Sequence, residues 1–192
     1  DDVTVSTSGV WSVDVVAIGD VDVSAVPLDE SNIAVRAGKL LTEHHGIERR
    51  ASIGISKGIP VAGGMAGGSA DAAATLVALD RLWDLGTSDE DLLAIAAGLG
   101  SDVPFALIGG SAHGVGRGEQ VTPVPDQGSY WWVVVPSDDG LSTPEVYREY
   151  DRLHPRGPVG RHVVNPIGVI SALKNGDADR LAASMHNDLQ EP

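Results

Sequence analysis

Short runs of β-forming residues predict strands near the start of the chain. Residues 3–6 alternate valine with hydroxyl side chains, and residues 13–18 are rich in valine. Because glycines follow both runs, we expect two strands of an antiparallel sheet separated by turns. Residues 51–56 form a third short run of small and branched side chains, and they predict another strand.

Apolar residues at helical spacing predict helices after these strands. The first predicted helix begins at Ile33 and ends at Gly46, since glycine is a common helix end. Further helices are predicted from about Ser69 to Trp83, from Thr87 or Ser88 to Ala97, from Thr143 with Pro144 at its first position, and in two short pieces separated by Asn175 and Gly176.

The middle of the chain contains further strand-like runs. Residues 105–108 and 111–115 flank Gly109 and Gly110, and they predict strands or a hairpin. Residues 131–135, with the sequence WWVVV, predict a buried strand. The mixture of strands and helices indicates an α+β or α/β fold class.

Composition and charge narrow the functions to consider. The chain has 192 residues, of which 42% are hydrophobic, so a packed core is expected. No apolar run approaches the roughly 20 residues that span a bilayer, so we expect no membrane partner. With 27 acidic and 13 basic residues the net charge is -14, which repels nucleic-acid phosphates and argues against a nucleic-acid partner. The absence of cysteine excludes disulfides, zinc–thiolate sites and cysteine nucleophiles.

The most informative segment runs from Lys57 to Asp71, with the sequence KGIPVAGGMAGGSAD, between a predicted strand and a predicted helix. Its glycines permit positive φ and allow backbone N–H groups to turn inward. The start of the following helix adds unpaired N–H groups and the positive end of the helix dipole. This combination is typical of a phosphate-binding site. The glycines are Gly63, Gly64, Gly67 and Gly68.

The glycine spacing excludes two common phosphate loops. A Walker loop has lysine after its last glycine, but here Ser69 follows Gly68. The dinucleotide fingerprint needs glycines two residues apart, and no two of these glycines have that spacing. A flexible loop before an alanine-rich helix, without any ligand, remains the alternative interpretation of the glycines alone.

Residues 60–69, with the sequence PVAGGMAGGS, resemble the phosphate loop of the GHMP kinases, which include galactokinase, homoserine kinase and mevalonate kinase. GSDVPFAL at residues 100–107 and GVGRGE at residues 114–119 resemble one branch of this family. That branch phosphorylates the 2-hydroxyl of 4-diphosphocytidyl-2-C-methyl-D-erythritol in the non-mevalonate route to isoprenoid precursors. The resemblance extends over the whole chain and is weakest around residues 156–166.

The resemblance implies an α+β fold and two domains. The first is an ATP-binding domain similar to ribosomal protein S5 domain 2, at residues 1–137 and lacking its first strand. The second is the beginning of an α+β C-terminal domain at residues 138–192. The resemblance also implies a cytoplasmic small-molecule kinase that uses ATP and Mg²⁺ and is a monomer or weak homodimer.

The resemblance assigns roles to individual residues. Asp102 would be the catalytic base that takes the proton of the substrate hydroxyl, although an Asp in this context is also a common turn residue. Asn32 would reach the adenine, besides capping its helix. Lys57 would contact the nucleotide, unless it is a solvated charge at a strand end, and Thr143 would lie near the substrate, unless it is only a helix cap. The loop residues expected to bind ATP are Pro60, Val61, Ala62, Gly63, Gly64, Met65, Ala66, Gly67, Gly68 and Ser69.

The sequence also departs from the family pattern. A Lys-x-Asn strand, a Gly-Tyr-His segment and a late Gly-Ser-Gly-Pro segment are absent from these residues, so we expect residues to be missing at both ends and this piece to have weak activity or none. Ala70 stands where several GHMP kinases have a serine that meets Mg²⁺, so no protein ligand of the metal is assigned. Another GHMP kinase, of the homoserine or mevalonate type, and a non-catalytic nucleotide-binding module remain the alternatives.

Overall fold

The structure is a computed structural model that describes residues 1–135, 142–155 and 165–192. These residues divide into two compact units, Asp1–Pro123 and Val124–Pro192. The predicted domain boundary between residues 137 and 138 lies outside the described residues. The elements of the first unit are β1 (Asp2–Ser8), β2 (Ser12–Ala17), α1 (Ile33–His45), β3 (Arg50–Lys57), α2 (Gly67–Trp83), α3 (Asp89–Leu99), α4 (Val103–Ile108), β4 (Ala112–Val115) and β5 (Gln120–Pro123). Those of the second are α5 (Thr143–Leu153), α6 (Ile167–Asn175) and α7 (Ala178–Ser184).

A three-stranded sheet of order β1-β3-β2 holds the start of the first unit together. Strand β1 is antiparallel to β3, with Val5 opposite Ile53, whereas β2 is parallel to β3, with Val13 opposite the same Ile53. The expectation of an antiparallel sheet is therefore confirmed for β1 and wrong for β2. The chain passes from β2 to β3 through helix α1, and such a crossover returns the chain in the same direction.

Local capping signals set the helix ends where the sequence predicts them. The Asn32 side chain accepts a hydrogen bond of 2.9 Å from the N–H of Ala34 at the start of α1. Gly46 ends that helix with a left-handed φ of 61°, and Ser88 caps α3 by accepting from the N–H of Asp91. These contacts satisfy backbone groups that a helix end leaves unpaired.

Two apolar clusters hold these elements in place. One contains residues of α1 and the sheet, and the other joins α1 to helices α2, α3 and α4. Strand β3 and the start of α2 are therefore anchored by buried side chains, whereas residues 62–66 between them are exposed. The largest fully buried side chains include Val35, Leu41, Ile53, Ile55, Leu76, Leu79 and Val103.

The structure corrects two strand predictions. Residues 105–108 belong to helix α4, which starts with Pro104 in its first turn and buries Val103 against the helical cluster. Of the second run only β4 is a strand, and it forms a hairpin with β5. The strand prediction failed because Val103, Ala106 and Leu107 pack against the neighbouring helices, and this packing overrides a weak local preference for strand.

The expectation of a buried strand at residues 131–135 is also wrong. This segment belongs to no described strand, and its side chains are exposed, with Trp131 at 98% and Val133 at 92% of full exposure. An apolar run becomes a buried strand only when other strands pair with it and other side chains cover it. The described elements of the second unit are helices and supply no such strand. Within the described ranges, no helix is long and apolar enough to cross a membrane.

Candidate functional site

The segment between β3 and α2 lines a cavity of about 380 Å³ together with the first turn of α2. This volume lies within the range of small-molecule sites. All of the loop residues that the sequence predicts to bind ATP line this cavity, as do Asn32 and Lys57. Its remaining walls are Ala25, Val26, Pro27, Ile33 and Asp71.

Unpaired backbone N–H groups concentrate at this cavity. The N–H groups of residues 64–69 donate to no acceptor among the described residues, and the helical ladder of α2 begins only with Ala70, whose N–H donates to the Ala66 carbonyl at 3.0 Å. The last three of these groups are the orphan donors of a helix start, where the helix dipole also places partial positive charge. The cavity wall therefore offers several free donors to an anion.

The loop backbone adopts conformations that non-glycine residues avoid. Ala62 and Ala66 have φ values of 57° and 51°, in the left-handed region, and Gly64 has φ of 70°. For an alanine this region costs about 1–2 kcal/mol. Ala66 immediately precedes the right-handed turn of α2, and an alternation of left- and right-handed residues directs successive N–H groups toward one concavity. Such strain is found where a loop is shaped around a ligand.

Asn32, at the start of α1, is hydrogen-bonded to Pro27, another residue that lines the cavity. Besides capping α1 through its Oδ1, its Nδ2 donates a hydrogen bond of 2.7 Å to the Pro27 carbonyl. The residue is buried, with 4% exposure. The predicted capping role is confirmed, whereas the predicted contact with adenine stays a prediction. The bond to Pro27 is a structural role that the sequence does not reveal.

Lys57 lies in a buried group of three charges, which we call the ion group: Asp1, Lys57 and Asp71. The Lys57 Nζ contacts Oδ2 of Asp1 and lies 2.8 Å from Oδ2 of Asp71, and all three side chains are 5% exposed or less. The solvated interpretation of Lys57 is therefore wrong, although its predicted contact with a nucleotide stays a prediction. Burial raises the pKa of the Asp71 carboxyl, and the nearby Lys57 ammonium opposes that shift. Oδ1 of Asp71 has no hydrogen-bond partner in the described part of the chain.

Asp102 lies outside this cavity. It is exposed in the turn between α3 and α4, where it precedes the first residue of α4 without a side-chain capping bond. A Cβ on Gly118 would lie 3.9 Å from the Cβ of Ser101, so the GVGRGE turn between β4 and β5 sits beside the turn that holds Asp102. The structure thus brings together two of the sequence motifs, while the role of Asp102 stays a prediction.

Thr143 lies in the second unit as the exposed first helical residue of α5, with Ser142 in the capping position. Its predicted role near a substrate stays a prediction. The interpretation of Thr143 as the cap is wrong by one residue.

Sequence reasoning missed the two carboxylates of the ion group. Asp71 gives a usable signal, because a charged residue among alanines on the buried face of a helix requires a partner. Asp1 gives none, since it is 56 residues from Lys57 in the sequence. Only the pairing of β1 with β3 brings them together, with Asp2 opposite Ser56.

Comparison with known proteins agrees with this geometry. Residues 32–110 match the family described as GHMP kinases N terminal domain, and this range includes the loop, helix α2 and Asp102. The chain contains a GHMP kinase N-terminal domain. The predicted GHMP kinase fold is thereby confirmed.

Curated relatives of this chain carry a more specific name. It is 60% identical over 190 residues to the 4-diphosphocytidyl-2-C-methyl-D-erythritol kinase of Nocardioides sp. (strain JS614), covering 99% of this chain and 63% of that protein. It is 47% identical over 197 residues to the protein of the same name from Leifsonia xyli subsp. xyli, covering 100% of this chain and 61% of that protein. The chain spans less than two thirds of the length of these relatives.

Solved structures agree with the family. A crystal structure of 4-(cytidine 5'-diphospho)-2C-methyl-D-erythritol kinase matches with a TM-score of 0.62 at 28% identity, over 99% of this chain and 62% of that one. Homoserine kinase from Cytophaga hutchinsonii matches with a TM-score of 0.58 at 18% identity, over 96% of this chain and 62% of that one. The second match shows a shared fold only.

Proposed function

We propose that the full-length protein transfers the γ-phosphate of ATP to the 2-hydroxyl of 4-diphosphocytidyl-2-C-methyl-D-erythritol. The observation that carries the proposal is that residues 64–69, whose N–H groups have no acceptor in the described part of the chain, line one cavity at the start of α2. Donors of this kind bind phosphate oxygens without any side-chain charge. Local donors of this kind matter because the net charge of the 192-residue chain, -14, repels anions at long range.

The chemistry assigned to this chain is positioning and proton transfer. Residues 60–69 would hold the phosphates, and Asn32 would meet the adenine while it keeps the Pro27 wall in place. Lys57 would contribute its charge from beneath the loop. The substrate oxygen forms a bond to the γ-phosphorus, the bond to the bridging oxygen breaks, and ADP leaves. Asp102 would accept the hydroxyl proton, and Thr143 would contact the substrate.

Mg²⁺ accompanies ATP in phosphoryl transfer, where it neutralises the phosphate charge. Among the described residues no group of three or more His, Asp or Glu side chains could hold a metal ion. The described part of the chain therefore does not fit a resident metal cage. We infer that Mg²⁺ would arrive with ATP, bound mainly by phosphates and water, as Mg²⁺ often is.

The choice of acceptor rests on the names of the relatives at 47–60% identity. The homoserine kinase match, at 18% identity, supports no acceptor. We propose a cytoplasmic enzyme of the non-mevalonate isoprenoid pathway, acting as a monomer or weak homodimer on a small molecule.

Asp102→Asn in the full-length protein tests the proposed chemistry. Asparagine keeps the size of the side chain but is a far poorer proton acceptor, and a positioned general base contributes roughly 100- to 10,000-fold to the rate. We expect kcat to fall by a factor in this range while the Kd for ATP stays nearly constant. The acceptors to compare are 4-diphosphocytidyl-2-C-methyl-D-erythritol, homoserine and mevalonate, with ADP release as the readout.

Asp89→Asn is the matched control, because Asp89 is also an exposed carboxylate at a helix start. It should leave kcat unchanged. Normal turnover in Asp102→Asn would show that Asp102 is a turn residue without a catalytic role. Equal losses of ATP binding and turnover would make it part of the nucleotide site, and transfer to homoserine or mevalonate alone would refute the proposed acceptor.

A further inference from the structure

The ion group connects the two ends of the phosphate loop. Oδ1 of Asp1 accepts hydrogen bonds of 2.7 Å from the N–H groups of Gly58 and Ile59, the first residues after β3. Asp71 belongs to α2, the helix into which the loop leads. The Lys57 ammonium contacts both carboxylates, so it links the first residues of the loop to the helix that follows.

The loop has little else to hold its shape. Residues 60–65 make one hydrogen bond among the described residues, from the Gly63 N–H to the Pro60 carbonyl at 3.4 Å. Ala62 nevertheless has a left-handed backbone, as does Ala66 at the end of the loop. Conformations of this kind persist only where the surroundings enforce them. The contacts that enforce them must therefore lie largely at the ends of the loop, where the ion group is.

The position of the ammonium is unfavourable for stability alone. A Cβ on Gly67 would lie 2.9 Å from the Lys57 Nζ, which places the ammonium against the first residue of α2. The start of a helix carries partial positive charge and repels a cation. Burial of three charges also carries a large desolvation penalty, and well-packed apolar residues often stabilise a fold equally well. A gain in stability over apolar side chains therefore does not explain why charges occupy these positions.

We propose that Asp1 and Asp71 are positioning residues that hold Lys57 beneath the phosphate loop and preorganise the N–H groups of residues 64–69 for ATP. This inference rests on the proposed function and deepens it. Without the ion group, the loop would sample other conformations, and ATP would bind only to the fraction of molecules whose loop has the binding conformation. An apparent Kd equals the intrinsic Kd divided by that fraction. A competent fraction of about one tenth would thus raise the Kd and KM for ATP about tenfold.

Asp71→Asn in the full-length protein tests the proposal, because asparagine keeps the shape of the side chain and removes its charge. We expect the KM and the directly measured Kd for MgATP to rise about tenfold, with kcat recovered at saturating ATP. Recovery is expected because bound ATP itself selects the competent loop. Asp1→Asn should act in the same direction and more weakly, since its amide oxygen still accepts from Gly58 and Ile59.

Asp80→Asn is the matched control on the same helix. Asp80 accepts a hydrogen bond of 2.9 Å from the N–H of Thr87, far from the loop in sequence, so its variant should lower the Tm without changing the KM for ATP. An unchanged ATP affinity in Asp71→Asn would overturn the proposal, as would a loss of kcat at saturating ATP with normal KM. If Asp71→Asn does not fold, the proposal is tested with Asp1→Asn, and an unchanged ATP affinity of that variant would overturn it. Failure of the unmodified protein to bind MgATP would refute the proposed function itself.

Discussion

Valine substitutions at two neighbouring glycines, Gly67 and Gly68, separate the structural role of the loop from its binding role. A Cβ on Gly67 would lie 2.9 Å from both Ile59 Cγ2 and the Lys57 Nζ, closer than real Cβ contacts. A Cβ on Gly68 would meet nothing nearer than Ile33 Cγ2 at 3.8 Å, at the wall of the cavity. The same change of side chain therefore strains the fold at one position and occupies the binding surface at the other.

The contacts determine the expected magnitudes. Overpacking costs about 1–3 kcal/mol, and displacement of Lys57 from its carboxylates adds to it, so Gly67→Val should lose about 2–4 kcal/mol of unfolding free energy. Gly68→Val should change Tm little, because valine and glycine are both weak helix formers. Loss of one hydrogen bond to a charged phosphate, about 1.5–3 kcal/mol, should weaken MgATP binding about 10- to 100-fold.

The assay combines thermal unfolding with equilibrium MgATP binding, in the full-length protein, for both variants. The expected pattern is a Tm loss confined mainly to Gly67→Val and a well-folded Gly68→Val that binds ATP poorly. The reasoning is refuted if Gly68→Val loses as much Tm as Gly67→Val, since the cavity wall would then be packed. It is equally refuted if Gly68→Val binds MgATP normally, because the loop would then be a turn without a nucleotide.

Two further predictions concern charge and exposed apolar surface. Because burial raises the pKa of Asp71 above its ordinary value of 3.8, the folded protein keeps that proton to higher pH than the unfolded chain. The contribution of Asp71 to stability is therefore lost as pH rises from the unfolded-state pKa through the folded-state pKa. Over this pH range the free energy of unfolding of Asp71→Asn should increase relative to that of the unmodified protein. Urea unfolding across the window measures the difference, and parallel curves would contradict it. Trp131→Ser should reduce concentration-dependent association of the 192-residue chain in light scattering, since Trp131 is 98% exposed within an exposed apolar run. Leu28→Ser, at an exposed leucine outside residues 131–135, is the control. Equal association of the two variants would show that the chains do not associate through residues 131–135.

Features that depend on neighbouring residues in the chain could be predicted from the sequence. The ends of α1 follow from Asn32 and Gly46, and the start of α3 follows from Ser88, because a cap satisfies backbone groups within a few residues. The phosphate loop could be predicted for the same reason, since its glycines and the start of α2 follow one another directly in the sequence. The sequence therefore located the cavity-lining residues 60–69 without any structure.

Features that depend on distant residues required the tertiary structure. The parallel pairing of β2 with β3, the helix at residues 103–108 and the exposure of residues 131–135 each depend on which elements pack beside them. The burial of Lys57 has the same origin, because its partner Asp1 reaches it only through the register of β1 on β3. A sequence pattern records the local preference of each residue, whereas burial and ion pairing depend on free energies shared between segments far apart in the chain. By itself the sequence thus determined the phosphate loop and its resemblance to the GHMP kinases, and only the folded chain decided how that loop is held.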